Sequence, residues 1–147
     1  MKSWASATSE RRSFAPSVAR VAAVFWMGSL WTTAAVVALL FWRLPQAVAG
    51  GLAGDLFAAG QGLGLILGGV VAQAVSPGPY RRLARIAWAL DGVFALLILP
   101  TMAYLRGAPG FGPQSPTWSL FMALHTVSTT IYLIEGVLGL VVVARAL

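Results

Sequence analysis

Two carboxylates, Asp91 and Glu135, stand inside otherwise apolar stretches of the chain, and the single histidine, His125, precedes Glu135 on the same stretch. His125, Ser128, Thr129, Tyr132 and Glu135 recur at steps of three and four, so a helix carries them along one side. A polar side of this kind must face protein or water and not lipid chains. With Asp91 it could share a proton, bind a cation or line a proton path. It could equally serve as glue, because Ser and Thr bond to the preceding turn and buried acids find hydrogen-bonding partners. Whether a metal is held stays open: one His with acids on other turns falls short of the several ligands a metal requires. A bis-histidine haem would need a histidine from another chain. The absence of Cys removes thiolate sites, disulfides and cysteine nucleophiles. No nucleophile and base stand at a spacing that suggests catalysis. The chemistry to expect is therefore non-enzymatic, with no cofactor.

A second pattern is made of small residues. Gly60, Gly64, Gly68 and Ala72 follow one another in steps of four, nearly on one face of a helix. Small residues let membrane helices approach closely, within one bundle or against a partner. A phosphate-binding loop is excluded, since no strand precedes these glycines and the required lysine is missing. Gln61 and Gln73 read as helix-to-helix hydrogen bonders. Ser29, Thr32 and Thr33 are placed to meet the polar side that ends in Glu135.

The elements that must position these residues are membrane spans. Of the 147 residues, 59% are hydrophobic and 10% charged, against about 25% charged in soluble domains. Mean hydropathy is +0.81. A soluble core of this size could not hide so much apolar surface. Four apolar runs, 18–42, 52–75, 83–105 and 117–144, each reach the ~20 residues that cross a bilayer. Residues 1–17 form a polar tail, and 18–147 the transmembrane domain. A signal peptide is the rival reading of the first run, with Ala47-Val48-Ala49 as its cleavage site. The run is longer than the roughly 7–15 apolar residues of a signal sequence, which favours a span.

Leu44-Pro45-Gln46 breaks the first helix, and Ser76-Pro77-Gly78-Pro79 ends the second. The stretch Ala47 to Gly54 reads as an interfacial turn or the frayed start of the second span. Pro100 predicts a kink in the third. Arg106 to Pro116 holds three Pro and three Gly and predicts an irregular loop. Arg43 and Asp55 fall near one interface and could pair, to little effect.

The net charge of +6 comes from basic residues that flank the apolar runs. That is the pattern of membrane topology and not of nucleic-acid binding. Lys2, Arg11, Arg12, Arg20, Arg81, Arg82, Arg85 and Arg145 gather on one side, Arg43 and Arg106 on the other. Both termini are therefore expected in the cytoplasm. Asp91 lies about seven residues, roughly 10 Å, past its cytoplasmic boundary, and Glu135 about ten residues, roughly 15 Å, before its own. The two acids are expected at similar depth.

The motifs Trp26-Met27-Gly28-Ser29-Leu30-Trp31-Thr32, Leu44-Pro45 through Ala49-Gly50, Leu52-Ala53-Gly54-Asp55-Leu56-Phe57, and Phe121-Met122-Ala123-Leu124-His125-Thr126-Val127-Ser128 resemble a bacterial membrane family of unknown function. That family is related to eukaryotic transmembrane protein 205. The resemblance runs from about Val21 onwards and leaves the N-terminal tail outside. Family members more often carry Gly where this chain has Thr126. The eukaryotic relative's link to platinum-drug resistance implies metal or drug handling, and no catalytic residues carry over.

The expected fold is an all-α bundle of four transmembrane helices, N-in and C-in, in a bacterial inner membrane. The expected role is an accessory or assembly subunit of a membrane complex. Its partners would be the lipid bilayer and other membrane subunits or a second copy, without nucleic acid. A small proton- or cation-coupled transporter using Asp91, Glu135 and His125 is the first alternative. A haem- or quinone-associated redox subunit is the second.

Overall fold

The computed structural model describes residues 4–146, with side chains from 17 to 145. It is an all-helical bundle: α1 (Trp4–Arg43), α2 (Gln46–Ala74), α3 (Pro79–Val93), α4 (Leu99–Arg106) and α5 (Trp118–Ala146). A π-helical turn, Phe94–Ile98, joins α3 to α4 without a break. Four stretches are long and apolar enough to cross a membrane: Ser17–Arg43, Gln46–Ala74, Pro79–Arg106 and Trp118–Arg145. The polar segment expected as a tail is helical from Trp4 and continuous with the first span.

Each boundary has a local cause. The Pro45 nitrogen has no hydrogen to donate, yet its carbonyl accepts from Val48 and Ala49 and so begins α2. The Ala47–Gly54 stretch is thus the start of the second span and not a separate turn. Pro79 opens α3 from the first turn, where its missing N–H costs nothing. Before it, Gly78 takes φ 149°, a region that side-chain-bearing residues rarely enter. Arg81 then reaches back and donates to the Gln73 carbonyl at 2.6 Å, satisfying an end of α2. Gln73 therefore contributes its backbone here.

The irregularity expected at Pro100 falls one turn earlier. The Leu99 N–H bonds to the Phe94 carbonyl, five residues back. Proline cannot donate to the turn that precedes it, and the wider π turn accommodates its ring.

The contact between α1 and α2 is the most extensive. α3 packs against α5 and against α2, and a smaller α1–α5 contact closes the bundle. Two apolar clusters fill it. One, toward the arginine-rich end, is built from Ala22, Ala23, Trp26, Met27, Leu30, Val71, Ala72, Ala84, Ala87 and Val142. The other, toward the 107–117 loop, is built from Phe94, Ile98, Met102, Leu105 and Phe121, with Phe57, Trp118 and Tyr132 against it.

The glycine row explains the close α1–α2–α3 approach. A Cβ on Gly60 would meet Thr33, one on Gly64 would meet Asp91, and one on Gly68 would meet Trp26 and Trp88. Ala72 is fully buried in the alanine-rich cluster. The row Gly60, Gly64, Gly68 and Ala72 is consumed by packing within this chain. Trp88 fixes the same seam, donating its indole N–H to the Leu65 carbonyl at 2.9 Å.

Candidate buried polar site

Between the two clusters lies a set of polar side chains from all four spans. Asp91 and Glu135 are both 0% exposed, Trp26 1% and Gln61 3%. Trp26, Gly64, Asp91 and Glu135 lie about ten residues, or roughly 15 Å, from the span ends on the side of Arg20, Arg81 and Arg145. That is about half of a ~30 Å hydrocarbon layer. The similar depth expected of the two acids is what the structure has.

Helix geometry delivers each group. On α2, Gln61 and Gly64 stand three apart and share a face. On α5, Tyr132 and Glu135 do the same. On α1, Trp26, Ser29, Leu30 and Thr33 form one row. All of these border one cavity of about 10 Å³, together with Phe57 and Gly60. That volume is close to the lower limit for a single water. Asp91 comes from α3 and lies against Gly64, beside the cavity. A Cβ on Gly64 would stand 2.7 Å from its Oδ2, so the carboxyl occupies the space that a side chain at 64 would fill.

The site is under-satisfied. Both Asp91 oxygens, both Glu135 oxygens, Trp26 Nε1 and Gln61 Nε2 are buried without a hydrogen-bond partner in the protein. The Trp26 indole and the Gln61 amide face the Glu135 carboxyl without meeting it in bonding geometry. Asp91 is close enough to Glu135 for two charges there to repel. Buried polar groups are nearly always paired, so four orphaned atoms at the cavity and two more on Asp91 behind Gly64 need a further occupant or a proton.

Two of the wall residues do have partners. Ser29 donates to the Trp26 carbonyl at 2.8 Å. The Tyr132 hydroxyl donates to the Leu30 carbonyl, tying α5 to α1. The Tyr132 ring packs edge-on against Phe57 and Phe94 on the loop side of the site.

The polar side of α5 does not act as one unit. Tyr132 and Glu135 enter the site. Ser128 is buried but bonds to the His125 carbonyl at 2.8 Å, and exposed Thr129 bonds to the same carbonyl at 2.9 Å. His125 is exposed on the outer surface and stacks on Phe121, with ring centroids 6.3 Å apart. His125, Ser128 and Thr129 are thus separated from the acids. The cause is that five residues in steps of three and four drift around a helix, and α1 and α3 cover only part of that arc. Thr32 is likewise exposed, while Ser29 and Thr33 line the cavity.

Arg43 lies over its neighbour Trp42, 4.4 Å from the ring centroid. Arg106 donates to the Gly50 carbonyl at 2.9 Å and lies over the Phe121 ring. Among the described residues, no cluster of three His, Cys, Asp or Glu could hold a metal ion.

No family model, curated protein or solved structure matches the chain. The site's own chemistry carries the functional argument.

Trp26 and Gln61 are the site members that residue-type reasoning underrates. A signal for each exists. Trp26 sits in mid-span, away from the interface where membrane tryptophans gather. Gln61 stands three residues before Gly64, on the face that must meet other helices.

Proposed function

We propose that the protein is a non-enzymatic, multi-pass membrane protein that binds and moves a proton or a small cation through the Asp91–Glu135 site. The carrying observation is that two fully buried carboxyls lie near each other about midway along their spans with all four oxygens unpartnered. An ionisable group at the centre of a bilayer costs roughly 3 kcal/mol or more and marks ion or proton pathways. A purely structural pair would be expected to close its hydrogen bonds, as the Tyr132–Leu30 bond does. The cavity beside the acids suits a water or a bare ion, which argues against a quinone or haem as its occupant.

The distribution of arginines supports an orientation with both ends in the cytoplasm, and we place the protein in a bacterial inner membrane. Reconstitution into proteoliposomes tests the function. Proton or alkali-cation flux should fall to background in Asp91→Asn and in Glu135→Gln. Wild-type flux in both variants would end this reading.

One observation favours a role as an accessory subunit as well. The His125 ring is exposed at membrane depth, while the neighbouring Thr126 and Thr130 bond to their own helix. Polar groups on a lipid-facing surface favour a neighbouring helix over lipid. A carrier of four spans would itself gain from such a neighbour. Mild detergent extraction followed by mass measurement tests this, and a monomer bearing only lipid would refute it.

A further inference from the structure

Resting on the translocation reading, we infer that the site's cargo is a proton and not a metal cation, and that the two acids have unequal roles. Asp91 holds the proton at rest, and Glu135 is the ionised member.

The donor set decides the cargo. A hard cation in a protein is surrounded by oxygen ligands. Here a tryptophan indole, which can only donate, faces the Glu135 carboxyl beside the cavity. A positive N–H pole aimed into a small site repels a cation and favours an anion. The Gln61 Nε2 group faces the same carboxyl and adds a second donor.

The unequal roles follow from where these donors point. Both face Glu135 from α1 and α2. No protein group donates to Asp91, whose oxygens lie against the Gly64 backbone on α2. An ionised carboxylate needs donors; Glu135 shares the cavity with two unused N–H groups, whereas Asp91 has none beside it and keeps its proton. The titratable groups facing the site are Asp91 from α3 and Tyr132 and Glu135 from α5. α1 and α2 contribute only uncharged groups, and the Tyr132 proton is committed to Leu30. One negative charge among two acids is also what repulsion between neighbouring carboxylates dictates. One water in the cavity would complete the hydrogen bonds of Trp26, Gln61 and Glu135.

The transfer step moves a proton alone. An O–H bond on Asp91 breaks and one forms on a Glu135 oxygen, directly or through a water. The negative charge passes from Glu135 to Asp91, and nothing is oxidised or reduced.

Infrared spectroscopy of the full chain in lipid nanodiscs tests this without any transport assay. Wild type should show the carbonyl stretch of a protonated carboxylic acid at neutral pH. Asp91→Asn should lose it and Glu135→Gln should keep it. Trp26→Phe should add a second such band, because Glu135 loses a donor. Sodium, lithium or thallium chloride added to the wild type should leave the band in place. Removal of the band by a cation overturns the inference, as does a band lost in Glu135→Gln and kept in Asp91→Asn. The wild-type salt titration and the Trp26→Phe arm decide the matter even where Asp91→Asn fails to fold. Failure here is distinct from failure of the translocation reading. A protonated band without any flux removes transport alone. Alkali-cation flux without the band removes the proton assignment alone.

Discussion

Within α5, the turn that carries Tyr132 and Glu135 and the turn that carries His125, Ser128 and Thr129 use polar side chains in opposite ways. The second turn is self-sufficient: its hydroxyls bond to the carbonyl of His125. The first depends on other helices, with Tyr132 donating to α1 and Glu135 left facing groups from α1, α2 and α3. Hydroxyl residues can close their bonds on their own helix, whereas an ionised carboxylate only accepts and must be met by donors from outside. Identical spacing thus produces a structural turn and a candidate site a few residues apart.

The sharpest way to break that contrast is at Gly64. Gly64→Ala puts a methyl group on the Asp91 carboxyl, and overpacking of this kind costs about 1–3 kcal/mol. Flux should disappear and the thermal midpoint in detergent should fall. Gly28→Ala, where a Cβ meets nothing within 4 Å, should leave both unchanged. Next in size is the coupling of the acids. Flux cannot show it, since each single variant is already expected at background; in thermal stability, the Asp91→Asn/Glu135→Gln double variant should differ from the sum of the single variants, because the two carboxyls are close enough to interact. Tyr132→Phe should follow, with the loss of one interhelical hydrogen bond lowering stability by about 1 kcal/mol. At the small end, Thr129→Ala in the self-bonded turn should shift stability by less than about 0.5 kcal/mol and leave flux intact. His125→Leu should also spare flux; its loss would rejoin the two turns into one pathway and break the comparison.

The number of spans was legible because each must supply a long apolar run, and length alone separates such runs from core helices. The start of α2 was less so. Gln46 to Gly51 is helical, but its Gly and Ala residues carry little of the hydropathy that marks a span. The π turn was legible only as a disturbance near Pro100, since proline in a sequence identifies a missing donor and not the hydrogen-bond register that compensates for it. In the site, Asp91 and Glu135 announced themselves by charge in an apolar setting. Trp26 and Gln61 did not, because an indole or an amide in a membrane helix has many ordinary uses. The grouping of His125 with the acids followed from spacing on one helix. Spacing does not reveal which part of a helix its neighbours cover.

The helices that build the site are far apart in the order of synthesis. Asp91, Gln61 and Gly64 belong to the tight α2–α3 hairpin, whose short connection is held by Arg81 on Gln73. Glu135 arrives with the last helix and closes against Trp26 of the first. A partly inserted chain holds one acid, unopposed, and no complete site. Assembly of the whole bundle is therefore what first brings the two acids together.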